Sequence, residues 1–169
     1  AGGVVESAAP GSAGAAAGLL PGDILMRWRR VSSPGVPHSE DWRNLDTLFD
    51  WCRVEIEELP RGDVQIALRR GQETKTVTLG PARHGLGLYP AMATEDEHAF
   101  LDALALRRAG QAEAALAAWT ELAGRFQASG DSPRAAWLHY RISLEQGSLG
   151  QDEASLANLE EAGRFALTQ

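Results

Sequence analysis

Cysteine is nearly missing from this chain: Cys52 is the single one among 169 residues. It has no internal partner for a disulfide, and no CxxC or Cys/His cluster stands ready for a metal, so disulfide-scaffold and zinc-module readings fall away. Lysine is equally scarce, one against 15 arginines. No apolar run approaches the roughly 20 residues that span a bilayer, so membrane insertion is not expected. Residues 1–5 (AGGVV) also lack the basic start of a secretory signal. An excess of positive charge is missing too. The formal net charge is −7 and the pI is near 5.1, which argues against nucleic acid as a partner. Proline, finally, is missing from one half only. Seven of the 8 lie at positions 10, 21, 34, 37, 60, 81 and 90, and Pro133 alone lies beyond.

The residues that are present follow the same division. With 44% hydrophobic and 23% charged residues the composition is that of a globular protein. Residues 1–90 carry 10 basic against 11 acidic side chains, a net of −1, and residues 91–169 carry 6 against 12, a net of −6. Proline breaks helix interiors whereas alanine and leucine favour helix. The first half therefore reads as strands and turns, the second as helices, with a boundary near Ala91–Thr94. The expected class is α+β: a small β-barrel or sandwich with helices over residues 1–91, then an all-α region of about four helices over 92–169. Ala1 is not an initiator Met and Val4-Val5 already looks like a strand, so the chain is expected to be a piece of a longer protein.

Gly3–Ser7 is a short β-branched run. It is followed by Pro10-Gly11-Ser12-Ala13-Gly14-Ala15-Ala16-Ala17-Gly18-Leu19-Leu20-Pro21-Gly22-Asp23-Ile24-Leu25. Ser12 is placed to cap a one-turn helix, Gly18 to end it in the left-handed conformation, and Asp23 to bond amides of the Pro21-Gly22 turn. From Pro10 to Asp23 the segment resembles the GSPAxxAGLxPGDxI signature of bacterial PDZ domains, with Ala13 where that family usually has proline. The family's next turn is replaced by Met26–Val31 and a Ser/Pro/Gly-rich loop at 32–39 that reads as an insertion. Leu45, Leu48, Phe49, Cys52 and Ile56 recur at helical spacing between about Trp42 and Glu58. Cys52 is accordingly expected to be a buried structural thiol, and Glu55, Glu57 and Glu58 a solvated helix end. Val64, Ile66 and Leu68, a turn at Arg70–Glu73, and Thr74, Thr76 and Thr78 read as a hairpin.

His84-Gly85-Leu86-Gly87-Leu88-Tyr89-Pro90 closes the first half. Glycines on either side of an apolar residue let backbone N–H groups converge on an anion, since no β-carbon obstructs them. This segment resembles the GLGF carboxylate loop of PDZ domains, placed after the last hairpin as in a circularly permuted arrangement. The resemblance implies that Gly85, Leu86, Gly87 and Leu88 receive a peptide C-terminal carboxylate and that Leu86–Tyr89 offers an edge strand. Leu88, Phe49 and Cys52 would then line the pocket for the last side chain. Pro90 removes one donor from that edge.

Beyond Glu95 the periodicity turns helical. Ala99, Phe100, Ala103, Leu104 and Leu106 precede Ala109-Gly110, and Ala112, Ala115, Leu116, Trp119, Leu122, Ala123 and Phe126 follow. Ser132 reads as the N-cap of a third helix, with Pro133 at its first position. That helix carries Ala136, Trp137, Tyr140, Ile142 and Leu144. A fourth carries Ala154, Leu156, Leu159, Ala162, Phe165 and Ala166. Helix pairs with Gly110, Ala115, Trp119 and Leu122, then Gly150, Ser155, Leu159 and Ala162, resemble tetratricopeptide repeats, though 40 residues separate the two glycines where the family has 34. Such stacks need about three units to cover their faces, so further repeats are expected after Gln169.

No catalytic set stands out. His38, His84, His98 and His139 form no HxxxH or HExxH pattern, there is no P-loop or GxGxxG, and neither cofactor nor metal is called for. Arg27, Arg29 and Arg30 with Trp28 form a small basic run that could touch nucleic acid or an acidic peptide, and a surface strand explains it as well. The function expected is a protein–protein interaction module: a groove for a peptide C-terminus or extended strand, and helices that scaffold a partner. Intramolecular contact between the two halves is a further expectation. The alternative is a regulatory or substrate-recognition segment of a larger enzyme, such as a caspase-like CHAT peptidase, a serine peptidase or a kinase. That alternative follows from the company these families keep. A spacer packed on its own helices is the third.

Overall fold

The computed structural model describes residues 2–31 and 41–166; the 32–39 loop therefore lies outside the described residues. The fold is α+β and divides into two compact units, Ala1–Ala91 and Met92–Gln169.

The first unit is built on one antiparallel open sheet. Its strands are β1 (Gly3–Ala8), β2 (Ile24–Arg30), β3 (Arg43–Asn44), β4 (Val64–Arg70), β5 (Glu73–Leu79) and β6 (Leu86–Pro90), ordered β5-β4-β2-β1-β6 with β3 pairing β2. The Val64, Ile66 and Leu68 alternation sends all three side chains into the core, beside Val5, Leu25, Trp28 and Leu79. Arg70 faces Glu73 across a two-residue turn, where Gly71 takes φ +59°.

Helix α1 (Ala13–Ala16) starts at Ser12, whose hydroxyl accepts the Ala15 N–H at 3.2 Å. Asp23 is buried, accepts the Leu20 amide at 2.9 Å, and is gripped on both oxygens by the Arg70 guanidinium at 2.7 Å. Burial alone pushes its carboxyl up; the Arg70 bonds and the Leu20 amide outweigh that and hold it below the usual carboxylate range. The same guanidinium reaches the Gly18 carbonyl, so one pair ties the 10–25 segment to the far hairpin.

The expected helix between Trp42 and Glu58 is shorter and differently turned. Arg43–Asn44 is strand. Helix α2 runs Leu48–Arg53 with Thr47 and Asp50 forming a capping box. It then widens into a π-type turn over Val54–Glu58 and a 3-10 turn over Leu59–Arg61. Two i, i+3/i+4 stripes overlap in this sequence and share Leu45 and Leu48. The one continued by Trp51 and Val54 is buried, because it removes more apolar area from water. The alternative stripe is turned outward: Phe49 is 39% and Ile56 73% exposed, and Cys52 is exposed rather than a buried structural thiol. Glu58 likewise departs from a solvated end, since it is buried and paired with Arg30.

The second unit consists of α3 (Thr94–Arg108), α4 (Ala112–Ser129), α5 (Ser132–Ser148) and α6 (Asp152–Ala166), each packed on the next. Its centre is aromatic. Phe100 stacks on Trp119 at 6.0 Å and meets Trp137 edge-on at 5.3 Å, while the Arg141 guanidinium lies 5.3–5.9 Å from all three rings. Helix α5 is capped by Asp131, one residue earlier than expected: its Oδ1 accepts the Arg134 N–H, and Ser132 and Pro133 fall in the first turn, where proline is tolerated. Tyr140, Leu144, Leu156 and Leu159 do not enter the core and are 46–58% exposed. On α6 the one buried residue is Ala162.

Candidate functional site

The site expected from sequence falls at an edge of the sheet. Strand β6 pairs β1 on one side and is the last strand of the sheet order on the other. Val4 faces Tyr89, Val5 faces Leu88 and Ser7 faces Gly87, with a bulge at Glu6. The direction of each backbone group follows from its neighbours. Val5 donates to the Asp23 carbonyl and accepts from the Gly22 amide, so its polar groups point to the β2 side. Leu88 opposite it is thus a non-hydrogen-bonded partner, with its N–H and C=O turned away from β1. The Ala91 amide bonds Gly2 and the Gly85 carbonyl accepts from Ala9, so the alternation holds along the strand. Leu86 and Leu88 each aim one donor and one acceptor outward, and Pro90, next in that row, has only a carbonyl to offer.

The two glycines do different work. Gly85 takes φ +59°, and a β-carbon there would stand 2.7 Å from Ser12 Cβ. Gly87 is extended and faces β1; its crowding comes from Ser7, whose Oγ is 2.7 Å from the position of a β-carbon. Leu86 leans over Gly14, where a β-carbon would meet Leu86 Cδ2 at 2.6 Å. Both Leu86 and Leu88 are partly buried against the core of the unit. The turn before them is stapled down: Ala13 donates to the Arg83 carbonyl at 3.3 Å and Gly14 to the His84 carbonyl at 3.1 Å.

On the helical side, Leu48 is the α2 residue set against this strand. A β-carbon on Gly3 would meet Leu48 Cδ2 at 2.5 Å and Leu88 Cδ1 at 3.8 Å. Phe49 and Cys52 lie on the exposed part of the same helix, and it is Leu48 that shares the space over Gly3 with Leu88. The partial covering that Cys52 receives, with the Glu55 charge nearby, pushes its thiol above the usual range.

Two residues of this region escaped the sequence reading. Trp51 is buried and His84 packs edge-on against it, ring centres 6.3 Å apart. His84 is 2% exposed, with Nε2 3.0 Å from the Gly80 carbonyl. Its place directly before Gly85 is the signal that could have drawn attention to it. The basic run is divided among neighbours: Arg29 lies over Trp42 and bonds Gln65, Arg30 pairs Glu58, and Arg43 covers Trp28. Among the described residues no group of three or more His, Cys, Asp or Glu could hold a metal, and no helix is long and apolar enough to cross a membrane. A scan against protein-family models finds no match to the chain, and neither does a search of curated proteins.

Proposed function

We propose that the first unit is a peptide-binding module of the PDZ type, in which an extended peptide adds to the free edge of β6 and its C-terminal carboxylate meets the turn at Gly85–Leu88. The second unit is then a tetratricopeptide-like scaffold for a protein partner. The observation that carries this reading is the open edge: a strand with two outward amides, Leu86 and Leu88, entered through a left-handed glycine and flanked by a helix bearing exposed Phe49 and Cys52. Strand addition of this kind draws affinity from main-chain bonds and specificity from side-chain pockets. Micromolar binding amounts to some −8 kcal/mol, of which burying one Leu-sized side chain contributes about 1.5–3. The remainder falls to the carboxylate and the short ladder.

The test is fluorescence titration against a library of labelled decapeptides with free apolar C-termini. Micromolar binding that drops at least tenfold on C-terminal amidation supports the carboxylate reading. Binding indifferent to amidation, or none at all, removes it.

A further inference from the structure

The buried ring of His84 has a use that the groove alone does not explain. Its Nε2 lies 3.0 Å from the Gly80 carbonyl. A carbonyl only accepts, so this nitrogen carries the hydrogen and the neutral ring leaves Nδ1 as a bare acceptor. That Nδ1 is buried and has no hydrogen-bond partner. Glu55 Oε1 lies 3.8 Å from it, on a carboxylate that is 44% exposed. In the neutral state a lone pair thus confronts an anion, which is unfavourable. One added proton turns the same geometry into a charge-assisted pair.

We propose that His84 is a proton-sensing positioning residue for the Gly85–Leu88 turn, with Glu55 as its switchable partner. The charged and titratable groups around it are few. The π-type turn brings Glu55, and α2 brings Trp51 and, one turn before Glu55, the Cys52 thiol. Arg83 precedes it in the chain and is exposed. Asp63 approaches Gly80, its Oδ1 3.2 Å from the position of a β-carbon there. Helix α1 contributes the Gly14 amide to the His84 carbonyl. With the ring neutral, Glu55, 3.8 Å from the residue directly before Gly85, keeps an uncompensated charge that opposes an incoming carboxylate. With the ring protonated, the pair is neutral overall and that opposition is gone. Anion binding at the turn therefore strengthens as pH falls through the range where histidine titrates. The part that concerns peptide affinity rests on the groove reading above; the coupling of His84 to the turn does not.

The experiment follows the His84 ring and the Gly85, Leu86, Gly87 and Leu88 amides of the full chain by NMR from pH 8 to pH 5.5, first without peptide. His84→Gln identifies the ring signal, and Glu55→Gln, an exposed position, serves should the first variant fail to fold. In the native chain the four amides are expected to shift with the same midpoint as the ring. In Glu55→Gln, which removes the partner charge, that midpoint moves down. Fluorescein-labelled decapeptides with free C-terminal Val, Leu, Ala or Phe are then expected to bind at least threefold tighter at pH 5.5 than at pH 8. In Glu55→Gln that ratio shrinks towards one, because affinity at pH 8 rises. A ring that does not titrate in this range, amides that ignore it, or bound peptide with a flat pH profile overturns the proposal. Amides that follow the ring while no peptide binds at either pH uphold the coupling and defeat the groove reading alone.

Discussion

Glycine is used in opposite ways around strands β1 and β6 and in the helical unit, and the contrast shows where each is vulnerable. Around β1 and β6 the glycines are places where chain segments nearly touch: a β-carbon at Gly3, Gly14, Gly85 or Gly87 would come within 2.5–2.7 Å of a neighbouring atom. In the helical unit a β-carbon at Gly110, Gly124, Gly130, Gly150 or Gly163 would have nothing within 4 Å, and only Gly147 approaches a neighbour, Ser155 Oγ at 3.4 Å. The sheet unit is thus assembled by close approach of segments distant in sequence. The helical unit is assembled by side chains that meet across neighbouring helices, and its stability is concentrated in a few large rings.

That difference is broken most severely at Trp119. Its side chain is fully buried between Phe100 and the Arg141 guanidinium, and truncating a buried aromatic costs about 3–5 kcal/mol. Trp119→Ala is expected to bring down the protection of α3, α4 and α5 together, which amide hydrogen exchange measures directly. A loss below about 1 kcal/mol would mean that the aromatic centre does not hold this unit together. The Trp119 Nε1–H has no hydrogen-bond partner, so the cost comes from packing and not from a lost bond.

The sheet unit is tested at Gly85, with a smaller effect on stability and a larger one on the site. Gly85→Ala must place a β-carbon 2.7 Å from Ser12 Cβ while holding φ near +59°. The left-handed conformation alone costs about 1–2 kcal/mol for a residue with a β-carbon. Expected are a lower denaturation midpoint and, on the reading proposed for the edge, at least a tenfold loss of peptide affinity. Unchanged affinity would detach the turn from recognition even if peptides do bind.

Local chemistry was legible in the sequence, and long-range choices were not. Ser12 as a cap, Asp23 bonding its own turn, the Arg70–Glu73 hairpin and the four helices each depend on residues a few positions apart, and each stands as expected. What failed was the choice between two overlapping stripes in α2, which was decided by how Trp51 and Val54 fit a core made of distant strands. The pairing of Asp23 with Arg70 spans 47 residues, and that of Arg30 with Glu58 spans 28. No periodicity announces either. At the site, Gly85 and Gly87 were singled out by their spacing and Leu88 by the resemblance, but the outward turn of the Leu86 and Leu88 amides depends on how Val5 bonds Gly22 and Asp23 on its other side. His84 was passed over because a lone histidine forms no pattern; its meaning lies in Gly80, Trp51 and Glu55 meeting around it.

The mildest test reverses the sign. Gly124 lies inside α4, exposed, with a negative φ and open space where a β-carbon would project. Glycine in a helix interior is worse than alanine by roughly 0.5–1 kcal/mol, because it loses more conformational freedom on folding. Gly124→Ala is therefore expected to raise stability by about that amount, read as a higher midpoint in denaturant at an unchanged slope. The same substitution thus destabilises at Gly85 and stabilises at Gly124. A destabilised Gly124→Ala would show that something covers this face of α4 and needs the space. It would place at least one helical glycine in the class of close approaches now confined to the sheet unit.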